Sequence, residues 1–241
     1  REGSNPLLSV IKVIPTPRQL LLAAICFSSS KGQQVDDPVV GIAWAELSSG
    51  RFEAGTFPAS RVEDELARIG PAEVLFREDD ASFSPDSTAP WSWTARPAWS
   101  FAEDSSFEIL QKQFAVHNLE GFGFESSDSA AVRAAGATLA YLQETQRGGL
   151  DHFRTIAAHR RSGFLQIDAA TRRSLEVTRT LRSGSREGSL LGVMDRTNTS
   201  MGSRMLADWI AAPLIDSEAI TFRQDAVEEF VANWKATDNN G

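Results

Sequence analysis

Residues 20–27, Leu-Leu-Leu-Ala-Ala-Ile-Cys-Phe, form an unbroken apolar run of strand length. Successive side chains of a strand point to opposite faces, so a run without a polar residue needs cover on both. The chain is therefore committed to a sheet with something packed on each side. Its 241 residues leave room for that layer and for a second unit. Cys26, the only cysteine, sits in this run and reads as a small buried hydrophobe. One thiol leaves no disulfide framework and no thiolate metal cluster, which points to a reducing compartment, the cytoplasm.

The sheet continues beyond the run. Residues 28–37 are polar and read as a loop. Residues 39–46 are β-branched and aromatic, Ser48, Ser49 and Gly50 supply a turn, and residues 51–57 alternate again, which together predict a β-hairpin. Ser60, three residues before Glu63, has capping-box spacing for a helix striped by Val62, Leu66 and Ile69 and ended by Gly70 and Pro71. Residues 72–76 read as a short strand and residues 79–90, acidic and rich in Ser and Pro, as an exposed loop. Trp91, Trp93, Trp99 and Phe101 cluster around Pro97, and their acidic flanks favour packing over a base-stacking platform. From Asp104 the period is helical, through Phe107, Leu110 and Phe114. Ser127 and Asp128 can cap an Ala-rich helix over 130–146, closed by Gly148 and Gly149, and residues 153–163 read as a linking element.

The character changes at Phe164. Residues 167–177 are helical in period with Asp168 as cap, residues 183–189 are a Gly/Ser break, and further helices are predicted over 190–213 and 217–234. The fold class is thus α/β followed by all-α, and such segregation predicts separate domains. Residues 1–18, with Pro6, Pro15 and Pro17, form an extended lead-in; residues 19–163 form the α/β domain and residues 164–241 an incomplete helical one.

Charge argues against a broad nucleic-acid surface. The net charge is −8, with 15 basic and 21 acidic residues before Phe164 and 9 and 11 from there on. Duplex DNA binding through this segment would have to be local, or belong to another part of a larger protein. No stretch has the ~18 apolar residues needed to cross a bilayer, and no signal peptide precedes the first strand. A Gly-x4-Gly-Lys-Ser/Thr phosphate loop is absent, and Gly121 and Gly123 read as turn residues. His117, His152 and His159 lack metal-ligand spacing and read as surface or capping residues. A strand, a hairpin and then helices suggest a ribonuclease H-like layer, but the first strand carries no acid, and Glu46 and Glu53 read as solvent-facing. Catalytic, cofactor-binding and metal-ligating residues are therefore assigned to none. A metal-dependent nuclease and a stand-alone protein-interaction module are kept as alternatives.

Three stretches carry a family resemblance. Residues 20–25 and 41–52 look like the opening strands of the connector domain of MutS DNA mismatch-repair proteins. Residues 113–114, 119–123, 135–141 and 144–146 are similar to the rest of that domain. Most specific is the ordered series Asp168, Thr171, Arg172, Arg173, Leu175 and Glu176, then Asp195, Thr197, Gly202, Arg204, Leu206, Trp209 and Pro213, which resembles the start of the family's helical core and lever. The resemblance implies a ribonuclease H-like connector without catalytic carboxylates, followed by the first core helices. It implies a mismatch-reading domain before residue 1 and an ATPase, with its ATP and magnesium, after residue 241. It further implies mismatched duplex DNA as the ligand of the intact protein, MutL and a second MutS copy as partners, no membrane, and work in the bacterial cytoplasm at the nucleoid. Glu108, Ile109, Gln111 and Lys112 would present the MutL-facing surface. Met201, Met205, Leu206 and Trp209 would fill a core contact, with Gly202 permitting close approach, and Arg172 and Arg173 read as helix-surface or ion-pairing residues.

Overall fold

The computed structural model describes residues 21–28, 37–80, 83–146, 149–160 and 163–238, with backbone alone over 233–238. The predicted lead-in over 1–18, most of the 28–37 loop, Gly148 and the side chain of Trp234 lie outside the described residues. The chain divides into two compact units, residues 1–160 and 161–241.

In the first unit the apolar run is β1 (Leu21–Phe27). β2 (Val39–Glu46) and β3 (Phe52–Pro58) follow, each antiparallel to the strand before it. β4 (Glu73–Arg77) pairs parallel with the other edge of β1, and β5 (Ser92–Arg96) pairs parallel with β4. β6 (Ala157–Ala158) joins β3 in parallel. The mixed sheet has the order β5-β4-β1-β2-β3-β6, so the run with no polar face takes a central place. Leu22, Ala24 and Cys26 enter one core, and Leu21, Ala23 and Ile25 enter the other.

Helices cover both faces. α1 (Val62–Ile69) buries Val62, Leu66 and Ile69 against Trp44 and Phe57, and stops at Gly70, whose φ of 65° few other residues adopt. On the opposite face α2 (Glu103–Phe114) and α3 (Ser129–Thr145) pack over Phe52, Leu75 and Phe101. Full burial of side chains such as Phe52 and Phe57 contributes on the order of 3 kcal/mol each relative to exposure. α3 is built from small residues and sits unusually close to its neighbours. A Cβ placed on Gly41 of β2 would lie 2.0 Å from the Ala130 carbonyl carbon, and one on Gly136 would lie 2.3 Å from Cβ of Ser106 in α2. Glycine is required at both contacts because backbone lies where a side chain would start.

Several local expectations need correction. Ser60 is not a helix cap: residues 59–61 form a 3₁₀ turn, and the Ser60 amide and hydroxyl both donate to the Asp37 carboxylate, at 3.0 and 2.7 Å. The aromatics around Pro97 are not one cluster. Trp91 and Trp93 pack with each other on the α1 face, Phe101 is buried under α3, and Trp99 is 64% exposed. Trp93 instead belongs to strand β5, and the supposed linking element contains strand β6. Asp128 precedes α3 without capping it, because its carboxylate turns back to the Glu125 amide.

The second unit is helical, as expected, with shorter pieces. α4 (Ala169–Ser174) starts at Asp168, whose carboxylate accepts the Thr171 amide at 2.8 Å. The predicted helix over 190–213 is two helices, α5 (Leu190–Met194) and α6 (Ser200–Ala211), capped by Ser189 and Thr199. α7 (Ser217–Asp238) follows. Antiparallel pairing of Phe164 with Leu214 ties the start of the unit to the chain leaving α6. Among the described residues only Val177 and Leu191 are buried large hydrophobics here.

Candidate functional site

The family-motif residues of the second unit fall into three local groups. Asp168 and Thr171 form the α4 cap, with the Thr171 hydroxyl also donating to the Asp168 carboxylate at 2.7 Å. That capping holds the Asp168 carboxyl below the usual aspartate range. Arg172, read as a surface or ion-pairing residue, is instead 6% exposed, and its Nη1 donates to the Ala211 carbonyl at 2.8 Å. It fastens α4 to the C-terminal end of α6. Arg173 and Leu175 are exposed. Glu176 has a positive φ of 48° and turns the chain after α4, its side chain accepting the Leu181 amide at 2.6 Å.

Asp195 organises the second group. Its carboxylate accepts the Ser203 hydroxyl (2.6 Å), the Thr197 hydroxyl (2.6 Å) and the Thr197 amide (3.0 Å), and pairs with the Arg186 guanidinium. These hydrogen bonds, Ser203 first, hold its carboxyl well below the usual range. The result is a pinned bend between α5 and α6. Gly202 serves that bend, since a Cβ there would meet Thr199 Oγ1 at 3.1 Å and Thr197 Cβ at 3.3 Å.

The third group was expected to be filled and is not. Met201 is 73% exposed, Met205 55% and Trp209 37%, while Arg204 and Leu206 are half-buried. The Arg223 guanidinium lies 4.5 Å over the Trp209 ring. Trp209, Leu214, Ile220, Val227 and Val231 line an open apolar groove of about 500 Å³. The Pro213 carbonyl accepts the Leu165 amide at 2.7 Å.

In the first unit, the four α2 residues do not form one exposed surface. Glu108 and Lys112 are exposed, Ile109 packs on the core, and Gln111 donates to the His117 carbonyl. Glu46, expected in solvent, is 4% exposed and accepts the Ser48 and Ser49 hydroxyls at 3.2 and 2.7 Å. Glu73 is 3% exposed and accepts the Tyr141 hydroxyl at 3.0 Å, with Thr94 donating to the same oxygen. Burial, then the Glu73 charge, pushes the Tyr141 hydroxyl pKa far up, so it stays a donor.

His159 is neither a surface nor a capping residue. Its ring lies against Trp44 and Phe57, with centroids 5.1 and 6.0 Å away, and Nδ1 is 3.3 Å from Glu53 Oε2. Burial alone would raise the Glu53 pKa, but the His159 contact and Arg51 bring it below the ordinary value. Next to it, Arg160 grips Asp128 with both terminal nitrogens at 2.9 Å, while Thr56 Oγ1 (3.1 Å) and the Glu125 amide (2.9 Å) donate to the same carboxylate. Asp128 is 3% exposed; burial would raise its pKa, and these donors, Arg160 foremost, lower it. The pairs Asp128–Arg160 and Asp195–Ser203 were invisible in sequence, because contact across 32 residues or around a bend leaves no spacing signal. Among the described residues, no group of three or more His, Cys, Asp and Glu could hold a metal ion.

Two family models match the chain in order: MutS domain II over residues 20–154 and MutS domain III over residues 170–239. The chain is 65% identical to the DNA mismatch repair protein MutS of Rhodopirellula baltica, covering 88% of this chain and 25% of that protein. It is 34% identical to the protein of the same name from Chlorobium phaeovibrioides, covering 87% of this chain and 24% of that protein. The chain thus spans about a quarter of the length of these curated relatives.

Proposed function

The chain belongs to the MutS family, and from that premise we propose that it is the segment through which a mismatch-reading domain and an ATPase communicate in a DNA mismatch-repair protein. The observation that carries this reading is the contrast between its two parts. The α/β unit is closed, with a sheet covered on both faces. The helical unit leaves large apolar side chains in water, which suits helices that pack against other parts of a protein about four times as long. A transmitting element has to move as one body, and a closely packed layer meets that need.

On this reading the intact protein binds mismatched duplex DNA, switches clamp state with ATP, and works as a homodimer in the bacterial cytoplasm at the nucleoid. Glu108 and Lys112, four residues apart on the exposed side of α2, are the part of the predicted MutL-facing surface that could meet a partner. The sequence holds no Gly-x4-Gly-Lys-Ser/Thr loop, and on this reading ATP and magnesium belong to the ATPase.

Exchange of this segment into the Rhodopirellula baltica protein tests the reading. The chimera should bind mismatched duplex and change its ATP turnover when it does, while the 241-residue chain alone should do neither. ATP hydrolysis by the isolated chain, or a folded chimera whose turnover ignores mismatched DNA, would overturn it. A metal-dependent nuclease is not favoured by any arrangement of the described carboxylates.

A further inference from the structure

The chain leaves the first unit at Arg160, so a displacement of the second unit carried along the chain reaches the first there. The strand that receives it is short. β6 has two residues, paired as Glu53 with Ala157 and Ala54 with Ala158, and one further backbone bond runs from the His159 amide to the Ala54 carbonyl at 2.7 Å. A ladder of that length at a sheet edge would peel readily, since each net hydrogen bond contributes little beyond what water offers.

Two side chains past the ladder make up the difference, one on each face of the sheet. His159 inserts between Trp44 and Phe57 on the α1 face and meets Glu53. Arg160 turns to the α3 face and takes the Asp128 carboxylate in a two-pronged grip. Asp128 is itself held by Thr56 of β3 and by the Glu125 amide just ahead of α3. The exit is therefore bolted to both the sheet and the approach to the helix that crosses it. A planar, always-charged fork suits this role, because two parallel bonds fix direction as well as distance.

We infer that Arg160, through Asp128, is the positioning residue that keeps β6 seated while the second unit moves, so that displacement enters the α/β layer as a whole and is not spent in peeling its edge. This rests on the reading of the chain as a transmitting segment. On this inference Arg160 acts by anchoring the exit.

Two measurements on Arg160→Gln test it, with Arg160→Lys alongside. In the 241-residue chain, hydrogen exchange at the His159 amide, which bonds to the Ala54 carbonyl, should accelerate by about tenfold to a hundredfold, with the amides of β1 and β2 unchanged. Arg160→Lys, which keeps the charge but not the fork, should fall between. In the chimera described above, Arg160→Gln should leave mismatched-duplex affinity and basal ATP turnover intact while reducing the ratio of turnover with and without mismatched DNA. Unchanged exchange at His159 would remove the anchoring role and leave the proposed function standing. Faster exchange with an unchanged ratio would show that a loose edge still transmits, and would overturn the inference. A parent chimera with no such ratio would sink the functional reading, and this inference with it.

Discussion

The two units are made from similar side chains used in opposite ways. In the first, Trp44, Phe52, Phe57 and Phe101 are all within 2% of full burial; in the second, Phe222 and Phe230 are 76% and 77% exposed. The α/β unit specifies its fold by filling both sides of a sheet. The helical unit specifies local shape through caps and polar pins: Asp168, Ser189, Thr199 and the Asp195 network. Hydrophobicity therefore reports very different things in the two. In one it is the source of stability, and in the other it lies largely exposed.

Single substitutions can break or sharpen this contrast. Phe52→Ala should destabilise the first unit by about 3–5 kcal/mol in denaturant melts followed by tryptophan fluorescence. Phe222→Ala or Phe230→Ala should change the same melts by less than about 0.5 kcal/mol. A large effect at Phe230 would mean the helical unit is better covered than its exposure indicates. Gly41→Ala comes next, at roughly 1–3 kcal/mol from one added methyl group, because the Ala130 backbone occupies its place. Ser189→Ala removes the α5 cap, and with it the acceptor of the Gly192 amide at 3.1 Å, and should cost about 1 kcal/mol, read as faster amide exchange confined to α5.

Acid offers a finer test. The folded pKa of Asp128 is lowered, so its contribution is complete above the ordinary aspartate value of 3.8 and is lost as pH falls through the folded value. Asp128→Asn should flatten the decline of first-unit melting temperature below that pH. An equally steep decline in the variant would assign acid sensitivity to other carboxylates, Glu53 among them.

How much could be read in advance follows the same division. β1, the hairpin and α1 were legible because runs, alternation and a terminating glycine are local signals that burial reinforces. β5 was not: Ser92, Thr94 and Arg96 dilute an edge strand, and its one tryptophan, Trp93, was read as part of an aromatic cluster. β6 was not, because two residues carry no period and are held by side chains beyond them. The ordered motif from Asp168 to Pro213 pointed to the family, but the bend that Asp195 makes with Thr197 and Ser203 was not legible in it. Arg172 was misplaced because an arginine on a short helix gives no sign that a carbonyl 39 residues later will receive it.

The seat of α3 on β2 leaves no adjustable part between them. Where side chains meet, a small shift can be absorbed by rotation about a bond. At Gly41 main chain meets main chain, and the only response to compression is for the whole layer to follow. That joint sets the thickness of the slab as a hard stop does, and it makes a hydrogen atom the largest substituent the position can carry.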